Sequence, residues 1–115
     1  MKKENIILTK SFDFALSIIA LYQELVKEKE YIISKQLLRS GTSIGANVEV
    51  STAAISRKDF IASLSIASKE SRETRYWLRL LDKSDLTQND LTQYLNEIED
   101  IINILTAIIK TSQSN

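Results

Sequence analysis

The chain has no cysteine and no histidine. Without thiols there is no disulfide and no thiolate metal site. Without imidazole there is no histidine general base, no Ser-His-Asp triad, no Glu-x-x-His pair of a di-iron bundle and no histidine pH switch. Proline is also absent and glycine occurs twice. That removes the usual punctuation of hairpins and sandwiches and favours long helices. Net charge is zero, with fifteen basic and fifteen acidic residues. The chain is therefore not a globally basic nucleic-acid binder, although a local basic face stays open. No apolar run reaches ~18 residues, so no membrane span is expected. The N-terminus MKKENIILTKSFDF is basic but lacks a long apolar region ending at a small-residue cleavage site. The expectation is a cytoplasmic protein.

What is present is helical periodicity. At 115 residues the chain fits one domain, residues 1–115, able to bury roughly 65% of its unfolded surface. The first predicted helix covers about residues 11–27, with Phe12, Ala15, Leu16, Ile19, Tyr22 and Val26 as its core face. A charged corner, Glu28–Glu30, follows. The second helix covers about residues 34–54 with Ser34 as N-cap. Its core face is Leu37, Leu38, Gly41, Ile44, Gly45, Val48, Thr52 and Ile55. Ser56 and Asp59 have capping-box spacing before a third helix, about residues 57–82. Its stripe is Phe60, Leu64, Ala67, Ser71, Thr74, Leu78 and Leu81. Thr87 and Asp90 repeat the capping pattern before a fourth helix, about residues 87–110, with Leu91, Leu95, Ile98, Ile102, Leu105 and Ile109 inward. The polar tail TSQSN is expected to fray. Short loops between long helices predict an all-α, antiparallel up-down-up-down four-helix bundle.

Apolar surface is left over. Between Lys35 and Arg57 the only charges are Arg39 and Glu49. Helix one shows a second stripe, Phe14, Ile18, Leu21 and Leu25. Helix two presents Ser43, Ala46, Val50 and Ala53, all small and uncharged. Helix three adds Ile66, Trp77 and Leu80, and helix four adds Tyr94, Ile101, Ile104 and Ile108. A broad core could absorb part of this. Subunit contacts explain the sum better, which makes the second stripe of helix one, the outer face of helix two and Trp77 candidate interface residues. Gly41 and Gly45 each cost about 1 kcal/mol inside a helix relative to alanine. Spaced by four, they would let a neighbouring backbone approach within a continuous helix. A turn at Ser40–Gly41 with a helix start at Ser43 is the alternative.

The run LLRSGTSIGANVEVSTAAISRKDFIASLSIASKESRETRYWLRLL resembles the four-helix bundle proteins first noticed as reading frames within bacterial 23S ribosomal RNA intervening sequences. The resemblance covers about residues 10–110. It is most specific from Leu38-Arg39-Ser40 through Ile44-Gly45-Ala46-Asn47, at Lys58-Asp59-Phe60, and from Glu70 to Leu81. It implies a bundle that assembles into a homopentameric ring. The accessory variability determinant proteins of diversity-generating retroelements share that fold. They are basic, and are thought to engage a reverse transcriptase and nucleic acid, whereas this chain is neutral. The resemblance implies no catalytic residue, no cofactor and no small-molecule substrate.

The residues themselves offer one functional constellation. Lys69, Arg72, Arg79 and Lys83, with Tyr76 among them, fall within about 80° of arc on the third helix. Cations around an aromatic can follow a phosphate backbone and stack a base. The bland alternative is a solvated polar face, partly neutralised by Glu73. Glu49, Glu70 and Glu73 fit salt bridges to Arg39, Arg72 and Arg75 better than a metal site. Arg39, Asn47 and Glu73 could form a polar network that fixes helix register. The expectation is a non-enzymatic homo-oligomer, associated with RNA or DNA through the third helix. The alternative is a protein-protein scaffold with no nucleic acid.

Overall fold

The computed structural model describes residues 3–114 of the chain, and side chains over residues 6–114. Four helices follow in order: α1 (Lys3–Lys27), α2 (Ile33–Ser51), α3 (Arg57–Lys83) and α4 (Thr92–Ser114). Each packs against its neighbour in sequence, and α4 returns to α1. The molecule measures 46 × 21 × 20 Å. A 25-residue helix such as α1 is about 38 Å long at 1.5 Å per residue, so the helices lie lengthwise around one core. α1 starts earlier and α4 both starts and ends later than periodicity indicates. The segment through Ser114 is helical, not frayed.

The core takes Phe14, Ile18, Leu21 and Leu25 from α1, and Leu37, Ile44 and Val48 from α2. α3 gives Leu64, Ala67, Leu78 and Leu81, and α4 gives Ile98, Ile101, Ile102, Leu105 and Ile108. Each large side chain removed from water contributes roughly 1.5–3 kcal/mol before entropy is counted. The stripe expected on α3 is the stripe observed, with Phe60 half-buried against the core. On α1 the two stripes are exchanged. Phe14, Ile18, Leu21 and Leu25, read as interface candidates, are 0–2% exposed inside the single chain. Phe12, Leu16 and Ile19, read as core, point outward. On α2 the expected inward residues Thr52 and Ile55 fall beyond the helix end. Thr52 is exposed and Ile55 is 93% exposed.

Over residues 6–27, α1 is long and apolar enough to cross a membrane by length and composition. This corrects the reading of the raw sequence, which counted only unbroken apolar runs. One stripe of that apolarity is consumed by the other three helices.

Two of the three expected N-caps are replaced by other residues. α1 ends in a Schellman motif: Lys29 N–H donates to the Val26 carbonyl (2.9 Å) and Glu30 N–H to the Leu25 carbonyl (2.9 Å). Lys29 takes the left-handed φ of 65° that this closure needs. The N-terminus of α2 is capped not by Ser34 but by the Glu30 carboxylate. It accepts from the backbone N–H groups of Ile32 (3.1 Å), Ile33 (3.0 Å) and Ser34 (2.5 Å). The Ser34 hydroxyl donates back to the Glu30 carbonyl at 2.7 Å. Ser56 does cap α3, accepting from Asp59 N–H at 3.0 Å, while the Asp59 carboxylate accepts from Ile55 N–H at 3.1 Å. Thr87 does not open α4. Asp90 takes that role by accepting from the backbone N–H of Thr92 at 3.0 Å, which holds its carboxyl below the ordinary carboxylate value.

α2 runs without a break through both glycines, so there is no turn at Ser40–Thr42. A Cβ on Gly41 would sit 2.9 Å from Cγ2 of Ile18. One on Gly45 would sit 3.3 Å from the Ser11 carbonyl oxygen. Both missing side chains therefore set the approach of α1 to α2. On a neighbouring face of α2, the buried hydroxyls of Ser40 and Thr74 hydrogen-bond at 2.9 Å and tie it to α3.

Candidate nucleic-acid interface

α3 is the only described helix whose outer face carries a row of cations around an aromatic. Lys69, Arg72, Tyr76, Arg79 and Lys83 are all exposed. From Lys69 to Lys83 the row is about 21 Å long at helical rise. No carboxylate among the described residues lies within ion-pair distance of Lys69, Arg72, Arg79 or Lys83. Arg72 makes one long contact, donating to the Thr106 hydroxyl of α4 at 3.4 Å.

Glu70 and Glu73 of α3 are engaged elsewhere, and the exposed Asp82, near the end of the row, makes no ion pair with it. Arg39 of α2 reaches across to Glu70 at 3.2 Å and also bonds Glu73. Glu73 accepts a second bond from the indole N–H of Trp77 at 3.0 Å. The Trp77 bond and then the Arg39 bond hold the Glu73 carboxyl below its ordinary value, and Glu73 in turn raises the Arg39 guanidinium above its own. Arg75 is paired with Glu99 of α4 at 3.1 Å. These pairs are partly solvated and are worth little individually. Their effect is positional. Trp77, an interface candidate, is half-buried and packs on the core, so its ring is anchored. Tyr76 rests against it edge to face, with ring centroids 5.1 Å apart and planes at 68°. Asn47, expected in this network, instead donates to the Ser43 carbonyl at 2.9 Å. Glu49 lies away from Glu70 and Glu73, on the α1–α2 face.

That face is the second surface of note. Phe12 (64% exposed), Leu16 (54%) and Ile19 (40%) project from α1. They border a shallow groove of about 350 Å³ floored by Gly45 and Ala46 of α2. Among the interface candidates of this region, Ala46 and Val50 of α2 are exposed, Ser43 is half-buried, and Ala53 is exposed beyond the helix end. Sequence reasoning missed the three α1 residues because it assigned them inward. The charged arc of Lys10, Asp13 and Glu24 lies at helical spacing nearer the Phe14–Leu25 stripe than the Phe12–Ile19 stripe, which made the latter look like the inward face.

The fold and these surfaces define an all-α, four-helix protein whose distinguishing features are a cationic helix face and an apolar face, both on its exterior. A family model described as 23S rRNA-intervening sequence protein matches residues 3–107, and the chain belongs to that family. No curated protein matches it. Among solved structures, it is similar to a protein of unknown function from the S23 ribosomal protein family of Bacteroides thetaiotaomicron. The two are 46% identical, with a TM-score of 0.90, over 95% of this chain and 99% of that one.

Proposed function

We propose that this protein is a non-enzymatic assembly subunit that self-associates through its α1–α2 face and presents α3 to nucleic acid. The observation that carries the reading is the outward stripe Phe12–Leu16–Ile19 beside Gly45 and Ala46 of α2, in a groove with Glu49 as its one charged lining residue. Such a face is costly to leave in water, and a second copy of the chain offers matching apolar surface. The assembly implied by the family resemblance is a closed pentameric ring of antiparallel up-down-up-down bundles. A ring would repeat the α3 cations once per subunit and convert weak contacts into avidity. The unpaired state of Lys69, Arg79 and Lys83 supports a polyanionic partner.

Light scattering at micromolar concentration tests self-association: a species several times 13.1 kDa is expected, and a monomer overturns the reading. Binding of labelled RNA or DNA at low salt, falling steeply as salt rises, tests the second half. The competing reading is a protein-protein scaffold, favoured by the zero net charge. It takes over if the oligomer forms and binds no nucleic acid.

A further inference from the structure

The outer face of α3 has two lanes. Lys69, Arg72, Arg79 and Lys83 make a cationic lane on the side toward α4. Ile66 (47% exposed) and Leu80 (37%) make an apolar lane on the side toward α2. At 100° per residue the lanes are separated by roughly 80°. Tyr76, 52% exposed, lies within the cationic lane, in its half nearer the apolar one. The carboxylate that falls in the apolar lane, Glu73, is occupied by Arg39 and Trp77.

We infer that α3 binds single-stranded nucleic acid in preference to duplex, with the phosphates on the cationic lane and Tyr76 as the stacking platform for a base. This deepens the nucleic-acid reading above and rests on it. A single strand has the same two-sided chemistry as the helix face: charged backbone along one edge, unstacked apolar base faces along the other. A duplex shows a protein mainly phosphates and groove edges, because its bases are already stacked on each other. Against a duplex Ile66, Leu80 and the Tyr76 ring have nothing to cover them. Against a single strand all three do. The ring is also braced before any ligand arrives. Arg39 holds Glu73, Glu73 holds the Trp77 indole, and Trp77 supports Tyr76 at 5.1 Å. A braced aromatic loses little side-chain freedom on stacking. With the cations spent on phosphates and the Tyr76 ring able to stack any base, recognition is indifferent to sequence.

The test is fluorescence anisotropy of the full-length protein with a short oligouridylate, an oligothymidylate and a mixed-sequence duplex of equal length, at low and moderate salt. Single strands should bind about tenfold or more tightly than duplex. Tyr76→Ala should cost single-strand affinity about tenfold, the usual scale for losing one stacked base. It should leave duplex affinity unchanged, and Tyr76→Phe should bind like the parent. Ile66→Ser should weaken single-strand binding alone, whereas Arg72→Glu with Arg79→Glu should weaken both. Duplex bound as well as single strand, or Tyr76→Ala without effect on either, overturns this inference while the nucleic-acid reading survives. Binding to neither probe at low salt overturns both.

Discussion

The Glu28 carboxylate accepts a hydrogen bond from the Thr87 hydroxyl at 2.6 Å, across 59 positions of sequence. It also accepts from the Gln88 N–H at 2.8 Å and the Asn89 side-chain amide at 3.1 Å. One residue of the α1–α2 corner thus organises the α3–α4 loop, and the two connections at this end of the molecule are held together. The Thr87 bond is the main reason the Glu28 carboxyl lies below its ordinary value, and the Gln88 bond adds to it.

A pH dependence follows from that direction. A carboxyl lowered on folding contributes stability above its unfolded-state value and loses the contribution as pH falls through the folded one. Glu28→Gln should therefore melt lower than the parent at neutral pH. The gap should close as the solution is taken below the ordinary carboxylate range. Thermal melts by circular dichroism across a pH series check this, and a gap that persists in acid would show that Glu28 acts through shape and not charge.

Glu30 should matter to stability, because three N–H groups at the start of α2 depend on it. Glu30→Ala should cost about 1–2 kcal/mol, the scale of a lost N-cap. The adjacent Lys29→Gly should be neutral or stabilising, because a left-handed φ of 65° suits glycine better than a side chain. Urea titrations of the two variants should shift their midpoints in these directions.

Close packing at the glycines should override helix propensity. Alanine is a better helix former than glycine by about 1 kcal/mol. Gly41→Ala should nonetheless destabilise, since the new methyl meets the fully buried Ile18 at 2.9 Å. Gly45→Leu should lose ~1–3 kcal/mol, as overpacking usually does. If Gly41→Ala melts higher than the parent, Ile18 yields to the new methyl and the α1–α2 approach is not set by Gly41.

Charges placed on the two stripes of α1 should have opposite consequences. Leu16→Glu and Ala46→Glu face outward and should yield folded, fully helical monomers in light scattering. Leu21→Glu, at 1% exposure, should lose on the order of 4 kcal/mol by burying an unpaired charge. It should appear as unfolded or aggregated chain. A folded monomer from Leu21→Glu would reverse the assignment of the stripes.

The number and approximate positions of the helices follow from local information. Apolar residues recur at helical spacing, and the chain has no proline to interrupt them. The core stripe of α3 and the continuity of α2 through Gly41 and Gly45 were legible for the same reason, as were the cations from Lys69 to Lys83. Which stripe of α1 faces inward was not legible, because both are apolar and periodicity assigns residues to a face without saying which face is covered. That choice depends on the space left by α2 and α4, and the structure settles it with Ile18 packed on Gly41. The caps were hidden for a related reason. Ser34 and Thr87 have the residue type of an N-cap, but Glu30 and Asp90 reach the free N–H groups, and Thr87 is spent on Glu28. Pairing across distance decided the rest. Arg39 draws Glu70 and Glu73 toward α2 and leaves Lys69, Arg72, Arg79 and Lys83 without an ion pair, an outcome that follows from how α2 packs on α3 and that no count of charges along the chain contains.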